Sequence, residues 1–150
     1  MIPIFHWIRR HIIAFDGLRS VEAGNIAEKV SGMVWGFKVH DMVDRYGVSI
    51  ISTLKRYGNV FVDLKLHETP DRMELRLNHC LEAGADFITV HATGGREMMR
   101  RAVQVAGRKH ILAVTIPTSM TQLECSQIYH TLIRDKVKEL AGLAKEAGCG

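Results

Sequence analysis

The sequence contains no long hydrophobic run and no paired-cysteine motif. Its apolar opening, residues 1–8, is too short to cross a bilayer, and Arg9 and Arg10 follow the apolar part, whereas a signal peptide places its charges first. The three cysteines are odd in number and lack CxxC spacing, which indicates reduced thiols. We therefore expect a cytoplasmic protein without a membrane span, with residues 1–11 as a leading segment that packs against the base of the domain.

A large excess of one charge is also missing. Lys and Arg number 20 against 16 Asp and Glu, a net charge of +4, and the basic residues are scattered among acids. A nucleic-acid surface gathers its basic residues with aromatic ones, so this pattern excludes nucleic acid as a partner. The densest basic group, Arg96, Arg100 and Arg101, is interpreted as the solvated face of a helix.

Five short apolar stretches recur at intervals of 23 to 27 residues and predict strands. They are 12–15, 35–39, 60–64, 87–91 and 111–116. Helical patterns lie between and after them, at 20–31, 48–57, 70–83, 96–106 and 134–147. This alternation indicates parallel strands joined by right-handed crossovers. No linker or change of composition divides the chain, so we predict a single α/β domain over residues 1–150.

The most informative stretch is 60–70, which reads VFVDLKLHETP. It predicts a buried strand, yet Asp63 and Lys65 stand two residues apart, and a regular pleat places them on one face. Glu68 follows where the strand gives way to a turn. One interpretation is an ion pair inside the core, which costs desolvation. The other is chemistry, which we favour because substrate sites of parallel α/β folds lie at the carboxyl ends of strands.

Polar residues also end or follow the other predicted strands: Asp16, Lys38, His91 and Thr118. Each of them has an alternative interpretation as a purely structural residue. On that interpretation, Lys38 only extends its stem from a strand end, and Asp16 only begins a turn. Thr118 and Ser119 then cap a short helix, and His91 is a core histidine. Five strands that each contribute a polar residue to one edge favour a functional site there.

The block DLKLHETP at 63–70 resembles the DLKxHDxP signature of the orotidine 5′-phosphate decarboxylase family, with Glu68 in place of the second Asp. Similar segments follow in order: IIAFD at 12–16, FKV at 37–39, ITVHATGGREM at 88–98 and LAVTIPTSM at 112–120. The resemblance implies a (β/α)8 TIM barrel, which takes about 250 residues. We expect this chain to be a partial barrel of five units, truncated in nature or in preparation, whose open edges are covered by a second chain.

The resemblance implies decarboxylation of orotidine monophosphate to uridine monophosphate, in pyrimidine biosynthesis and without a cofactor. Carried over by position, the family's Lys-Asp-Lys-Asp array becomes Lys38, Asp63, Lys65 and Glu68. Lys65 then stabilises and protonates the carbon that loses carbon dioxide. Asp63 positions Lys65 beside the departing carboxylate.

Further contacts to the nucleotide follow from the same resemblance. Lys38 bridges Asp63 and the sugar hydroxyls, Asp16 accepts from the ribose, and Thr118 and His91 are candidate substrate contacts. A homodimer is also implied, with Glu68 completing the active site of the neighbouring chain.

Two departures from the family pattern bear on activity. Glu68 is one methylene longer than Asp, which displaces a carboxylate by about 1 Å where catalytic geometry tolerates about half of that. The family binds the substrate phosphate with the loops after the seventh and eighth strands of the barrel. We expect a chain of five units to lack both loops. Loss of this remote binding energy lowers turnover as well as affinity.

Two other functions stay open. Asp63, His67, Glu68 and His91 offer ligands for a divalent metal, as in sugar-phosphate decarboxylases and epimerases of the same superfamily. Metal-dependent activity would favour that alternative. The other is a barrel fragment that dimerises without catalysis, which would show no saturable binding of a uridine monophosphate analogue.

Overall fold

The computed structural model describes residues 10–150, and most of the predicted leading segment lies outside the described residues. Five strands form one sheet in chain order. They are β1 Ile12–Ala14, β2 Gly36–Val39, β3 Asn59–Leu66, β4 Phe87–His91 and β5 Ile111–Val114. All five predicted strands are present, with ends that differ by at most two residues. The α/β class with five βα units is therefore confirmed.

Seven α-helices and one 3-10 helix, Ala92–Gly94, accompany the strands within residues 10–150. The α-helices are α1 Ser20–Lys29, α2 Asp41–Tyr46, α3 Ser49–Lys55, α4 Pro70–Glu82, α5 Gly95–Ala106, α6 Gln122–Tyr129 and α7 Ile133–Ala147. The sequence predicts five of these and misses the short helices α2 and α6.

The start of α6 corrects one of the sequence interpretations. The Thr121 hydroxyl accepts the Glu124 N–H at 3.3 Å, and the Glu124 carboxylate accepts the Thr121 N–H at 2.7 Å. This reciprocal pair caps the helix. The interpretation that Thr118 and Ser119 cap a helix is therefore wrong, because the capping residue lies further along the chain.

The described residues group into two compact units. The first comprises residues 10–64 with Asn78–Ile88, and the second comprises Lys65–Leu77 with Thr89–Gly150. Both β3 and β4 begin in the first unit and end in the second. The single domain over residues 1–150 stays a prediction.

In the first unit, β1, β2 and β3 run parallel, and Gly36 of β2 lies opposite Asn59 of β3. A Cβ on Gly36 would overlap the carbonyl oxygen of Asn59, so this approach requires glycine. Phe15 stacks on Phe37 with ring centroids 5.0 Å apart, and both rings are buried. Each ring immediately precedes a predicted site residue, so the core fixes the backbone from which the site projects.

In the second unit, the core forms between two amphipathic helices and the strand between them in sequence. The buried residues are Met98, Met99 and Ala102 of α5, Ile111 of β5, and Leu140, Ala144 and Ala147 of α7. Met99 and Ala102 are three residues apart, and Leu140, Ala144 and Ala147 follow one another at four and three residues, so each helix has an apolar face. Within residues 10–150, no helix has both the length and the apolar character needed to cross a bilayer.

Candidate active site

Three charged side chains lie in a row in the first unit. Lys38 Nζ donates to Asp16 Oδ2 at 2.8 Å and lies 3.5 Å from Asp63 Oδ2. The hydrogen bond to Asp16 raises the pKa of Lys38 above its ordinary 10.5, so the ammonium stays charged at neutral pH. The structure thus brings together three residues that the sequence nominates from three different strands.

The exposure of these side chains falls along the row. Asp16 is 51% exposed, Lys38 is 23% exposed and Asp63 is 13% exposed. Lys38 does more than extend its stem toward solvent, because its ammonium bridges two carboxylates. Asp16 remains open on one side and can accept a further hydrogen bond, whereas Asp63 is held in a drier environment that strengthens its attraction to Lys38.

Two residues directly after β2 support this row, and the sequence interpretation misses both. His40 Nδ1 lies 2.5 Å from the main-chain oxygen of Asp63, a distance at which the imidazole N–H donates to the carbonyl. The Asp41 carboxylate accepts the Gly17 N–H at 3.2 Å and so fixes the turn that carries Asp16. The available signal is a polar pair immediately after a strand whose penultimate residue is a candidate lysine.

Lys65 lies near the end of β3, in the second unit, with an unusual backbone. Its φ is 50°, in the left-handed region that lysine seldom adopts. Its N–H donates to the hydroxyl of Thr89 at 2.8 Å. The regular pleat assumed for Asp63 and Lys65 therefore does not extend through Lys65. Its side chain is exposed, so the interpretation of an ion pair inside the core is wrong.

Two histidines accompany Lys65 in the second unit. The rings of His67 and His91 have centroids 5.8 Å apart. His91 Nδ1 accepts the Thr93 N–H at 3.4 Å and lies 2.5 Å from the Thr93 hydroxyl. Burial lowers the pKa of His91 below its ordinary 6.5, and electrostatic repulsion from the nearby His67 and Lys65 side chains lowers the pKa further. His91 is therefore neutral at pH 7 with its proton on Nε2, and it lies half-buried at the end of β4.

The two remaining predicted residues also lie in the second unit. Glu68 accepts a hydrogen bond from Arg76 of α4 at 3.2 Å. Thr118 is exposed in the turn between β5 and α6, where the Met120 N–H bonds the Pro117 carbonyl at 3.0 Å. Its hydroxyl is accessible to a ligand.

The metal alternative depends on a cluster of oxygen and nitrogen ligands. Across the part of the chain that the structure describes, no three His, Cys, Asp or Glu residues are grouped as a metal ion would require. In the proposed ligand set, His91 Nδ1 is already engaged by Thr93, and Glu68 is paired with Arg76. The geometry gives this alternative no support.

Known proteins resemble this chain closely. A family model described as orotidine 5′-phosphate decarboxylase / HUMPS family matches residues 9–149. The orotidine 5′-phosphate decarboxylase of Carboxydothermus hydrogenoformans is 36% identical over 150 residues, covering 93% of this chain and 62% of that protein. That of Paramagnetospirillum magneticum is 32% identical, covering 91% of this chain and 63% of the relative. The chain thus spans less than two thirds of the length of these curated relatives.

A solved structure gives the same result for the fold. The crystal structure of orotidine 5′-phosphate decarboxylase from Lactobacillus acidophilus superposes with a TM-score of 0.80 at 28% identity. The match covers 94% of this chain and 69% of that one. The five βα units therefore correspond to most of a solved decarboxylase structure.

Proposed function

Since the chain belongs to the orotidine 5′-phosphate decarboxylase / HUMPS family, we propose that its site acts in the decarboxylation of orotidine monophosphate to uridine monophosphate, a step of pyrimidine biosynthesis. The observation that carries this proposal is the row Asp16–Lys38–Asp63, which is followed two residues along β3 by Lys65. Alternating charges of this kind suit a reaction that removes one anionic group and protonates the carbon left behind.

In the proposed reaction, the bond between the pyrimidine ring carbon and the carboxylate breaks. Carbon dioxide leaves, and the electron pair stays on the ring carbon. The Lys65 ammonium stabilises this charge, donates a proton to the carbon and regains one from solvent, so no cofactor is required. The exposed position of Lys65 supports this role, because its ammonium is accessible to a ligand. Asp63, held by Lys38, acts chiefly by positioning.

The remaining candidates are proposed to hold the nucleotide. Asp16 is half exposed and suits acceptance of a hydrogen bond from a ribose hydroxyl, while Lys38 donates to another. His91 presents a neutral Nε2–H donor, since its Nδ1 is engaged by Thr93. Thr118 offers an accessible hydroxyl.

The proposal includes a cytoplasmic homodimer in which Glu68 completes the partner's site. Glu68 is 32% exposed, and its bond to Arg76 is a single contact between partly exposed groups. Such pairs contribute little free energy, so exchange of Arg76 for a partner across an interface costs little. The cysteines Cys80, Cys125 and Cys149 are free thiols, which suits a reducing compartment.

The decisive experiment measures conversion of orotidine monophosphate by the 150-residue chain, followed by the change in ultraviolet absorbance. Lys65→Ala is expected to lower the rate by about a thousandfold, the scale of a lost general acid and electrostatic stabiliser. Lys138→Ala, which removes an exposed lysine of α7, is the matched control and should keep the parent rate.

Equal rates for the parent and Lys65→Ala would contradict the proposal. Absence of turnover, together with absence of saturable uridine monophosphate binding by folded protein, would favour a scaffold without catalysis. Calorimetric titration with uridine monophosphate therefore accompanies the assay.

A further inference from the structure

We infer that Thr89 is a positioning residue whose buried hydroxyl holds the backbone of Lys65 in its left-handed conformation and so sets the place of the Lys65 ammonium. The inference rests on the proposed function for the role of Lys65. It adds a residue of β4 that touches no substrate and acts through its neighbour. Its conformational part can be measured without turnover.

The first support is the backbone of Lys65. A φ of 50° crowds the Cβ of an L residue against the preceding peptide group, which costs strain. Such strain persists only when the surrounding structure holds the residue in place. One contact that holds this position is the hydrogen bond that the Lys65 N–H donates to Thr89 Oγ1 at 2.8 Å.

The second support is the burial of Thr89. It is 4% exposed and lies in β4 between Ile88 and Val90, which are both fully buried. A valine has the same shape and suits such a strand, whereas a hydroxyl costs desolvation unless it is hydrogen-bonded. The bond to Lys65 thus gives a physical reason for a hydroxyl at this position.

The nature of the acceptor is the third support. In a regular parallel ladder, the N–H of a strand residue donates to a main-chain carbonyl of the neighbouring strand. The Lys65 N–H donates to a side-chain hydroxyl, at a residue whose positive φ departs from the strand conformation. Thr89 thus supplies an acceptor that suits the left-handed conformation.

The consequence for chemistry follows from the direction of the side chain. A change of φ from positive to negative re-aims the Cα–Cβ bond of Lys65 and with it the ammonium at the end of a four-carbon stem. A displacement of about 1 Å at a reacting group lowers a rate by about a hundredfold. Loss of the Thr89 hydroxyl is therefore expected to lower kcat, with little effect on KM.

The test compares Thr89→Val, which keeps the shape and removes the acceptor, with Thr89→Ser, which keeps the acceptor. Nuclear magnetic resonance gives the exchange rate of the Lys65 amide proton and its one-bond Cα–Hα coupling, which separates positive from negative φ. In Thr89→Val, exchange is expected to rise by about tenfold at Lys65, with a coupling typical of negative φ. Thr89→Ser keeps both values of the parent. An unchanged Lys65 in Thr89→Val overturns the inference.

Turnover provides the second measurement. Thr89→Val is expected to lose about a hundredfold in kcat, and Thr89→Ser is expected to restore most of it. If Thr89→Val changes the Lys65 backbone yet keeps kcat, while Lys65→Ala abolishes turnover, the inference is overturned. If Lys65→Ala itself has no effect, the proposed function fails, and amide exchange alone decides whether Thr89 holds Lys65.

Discussion

At the scale of single residues, the ammonium group of Lys38 interacts with two carboxylates. Its Nζ lies 2.8 Å from Asp16 and 3.5 Å from Asp63, and the hydrogen bond to Asp16 raises its pKa. A raised lysine pKa means that the folded chain holds the proton more tightly than the unfolded chain. The stabilisation is therefore complete below about pH 10.5 and is lost as the pH rises through the higher folded value.

His91 gives a prediction of the opposite sign. Burial lowers its pKa below 6.5, with further lowering from the nearby His67 and Lys65 side chains. The unfolded chain then binds a proton before the folded chain does, so stability is complete above about pH 6.5 and falls as the pH drops below it. In His91→Asn, whose amide oxygen can still accept from Thr93, the free energy of unfolding is expected to fall less over this range.

Urea unfolding at about pH 7.5 and about pH 5.5 measures this difference. Equal losses of stability in the parent and His91→Asn would contradict it.

At the same scale, the sequence predicts which residues carry charge at the site but not how the backbone presents them. Asp16, Lys38 and Asp63 come together because parallel strands end at one edge, and this follows from strand order alone. The left-handed Lys65 does not follow, since lysine has no preference for that conformation. Thr89 carries a usable signal, because a hydroxyl within a buried apolar strand requires a partner.

At the scale of elements, the sequence predicts the long βα units well and the short helices poorly. The helical spacing of the apolar residues, together with the glycine that follows each helix, predicts the ends of α4, α5 and α7 to within one residue. Helix α2 has six residues and no side-chain cap, so little in its sequence distinguishes it from a turn. Helix α6 could have been found from Thr121 and Glu124, whose spacing is that of a capping box.

The turn before α5 yields a second prediction. A Cβ on Gly94 would overlap the buried Met98 side chain and lie 2.9 Å from His67 Cδ2. Gly94→Ala is therefore expected to cost about 1–3 kcal/mol, the range for overpacking. Gly142→Ala in α7 is the matched control, since no atom lies within 4 Å of the added Cβ. It should stabilise by about 0.5–1 kcal/mol through better helix propensity.

The free energy of unfolding of both variants, measured in urea, tests this pair. A Gly94→Ala chain as stable as the parent would show that Met98 and His67 move aside freely.

At the scale of the whole molecule, the proposed dimer predicts complementation between inactive chains. If Glu68 acts in the partner's site, a dimer of one Lys65→Ala chain and one Glu68→Ala chain contains one intact site. Refolding the two variants together should restore about a quarter of the parent rate, because about half of the dimers are mixed and each has one working site. The measurement is the rate before and after joint refolding.

The control mixture combines Lys65→Ala with Asp63→Ala. Both residues belong to the part of the array that one chain supplies, so no mixed dimer has an intact site and no recovery is expected. Equal recovery in the two mixtures, or none in either, would contradict a shared array.

The close approach of β2 to β3 also constrains how this chain can evolve. Every single-nucleotide change that replaces a glycine introduces a side chain, and at position 36 even the smallest one meets the Asn59 carbonyl. Relief would require a simultaneous shift of β3, the strand that carries Asp63 and Lys65. We therefore expect position 36 to stay glycine, and the strand that carries Asp63 and Lys65 to keep its place beside β2.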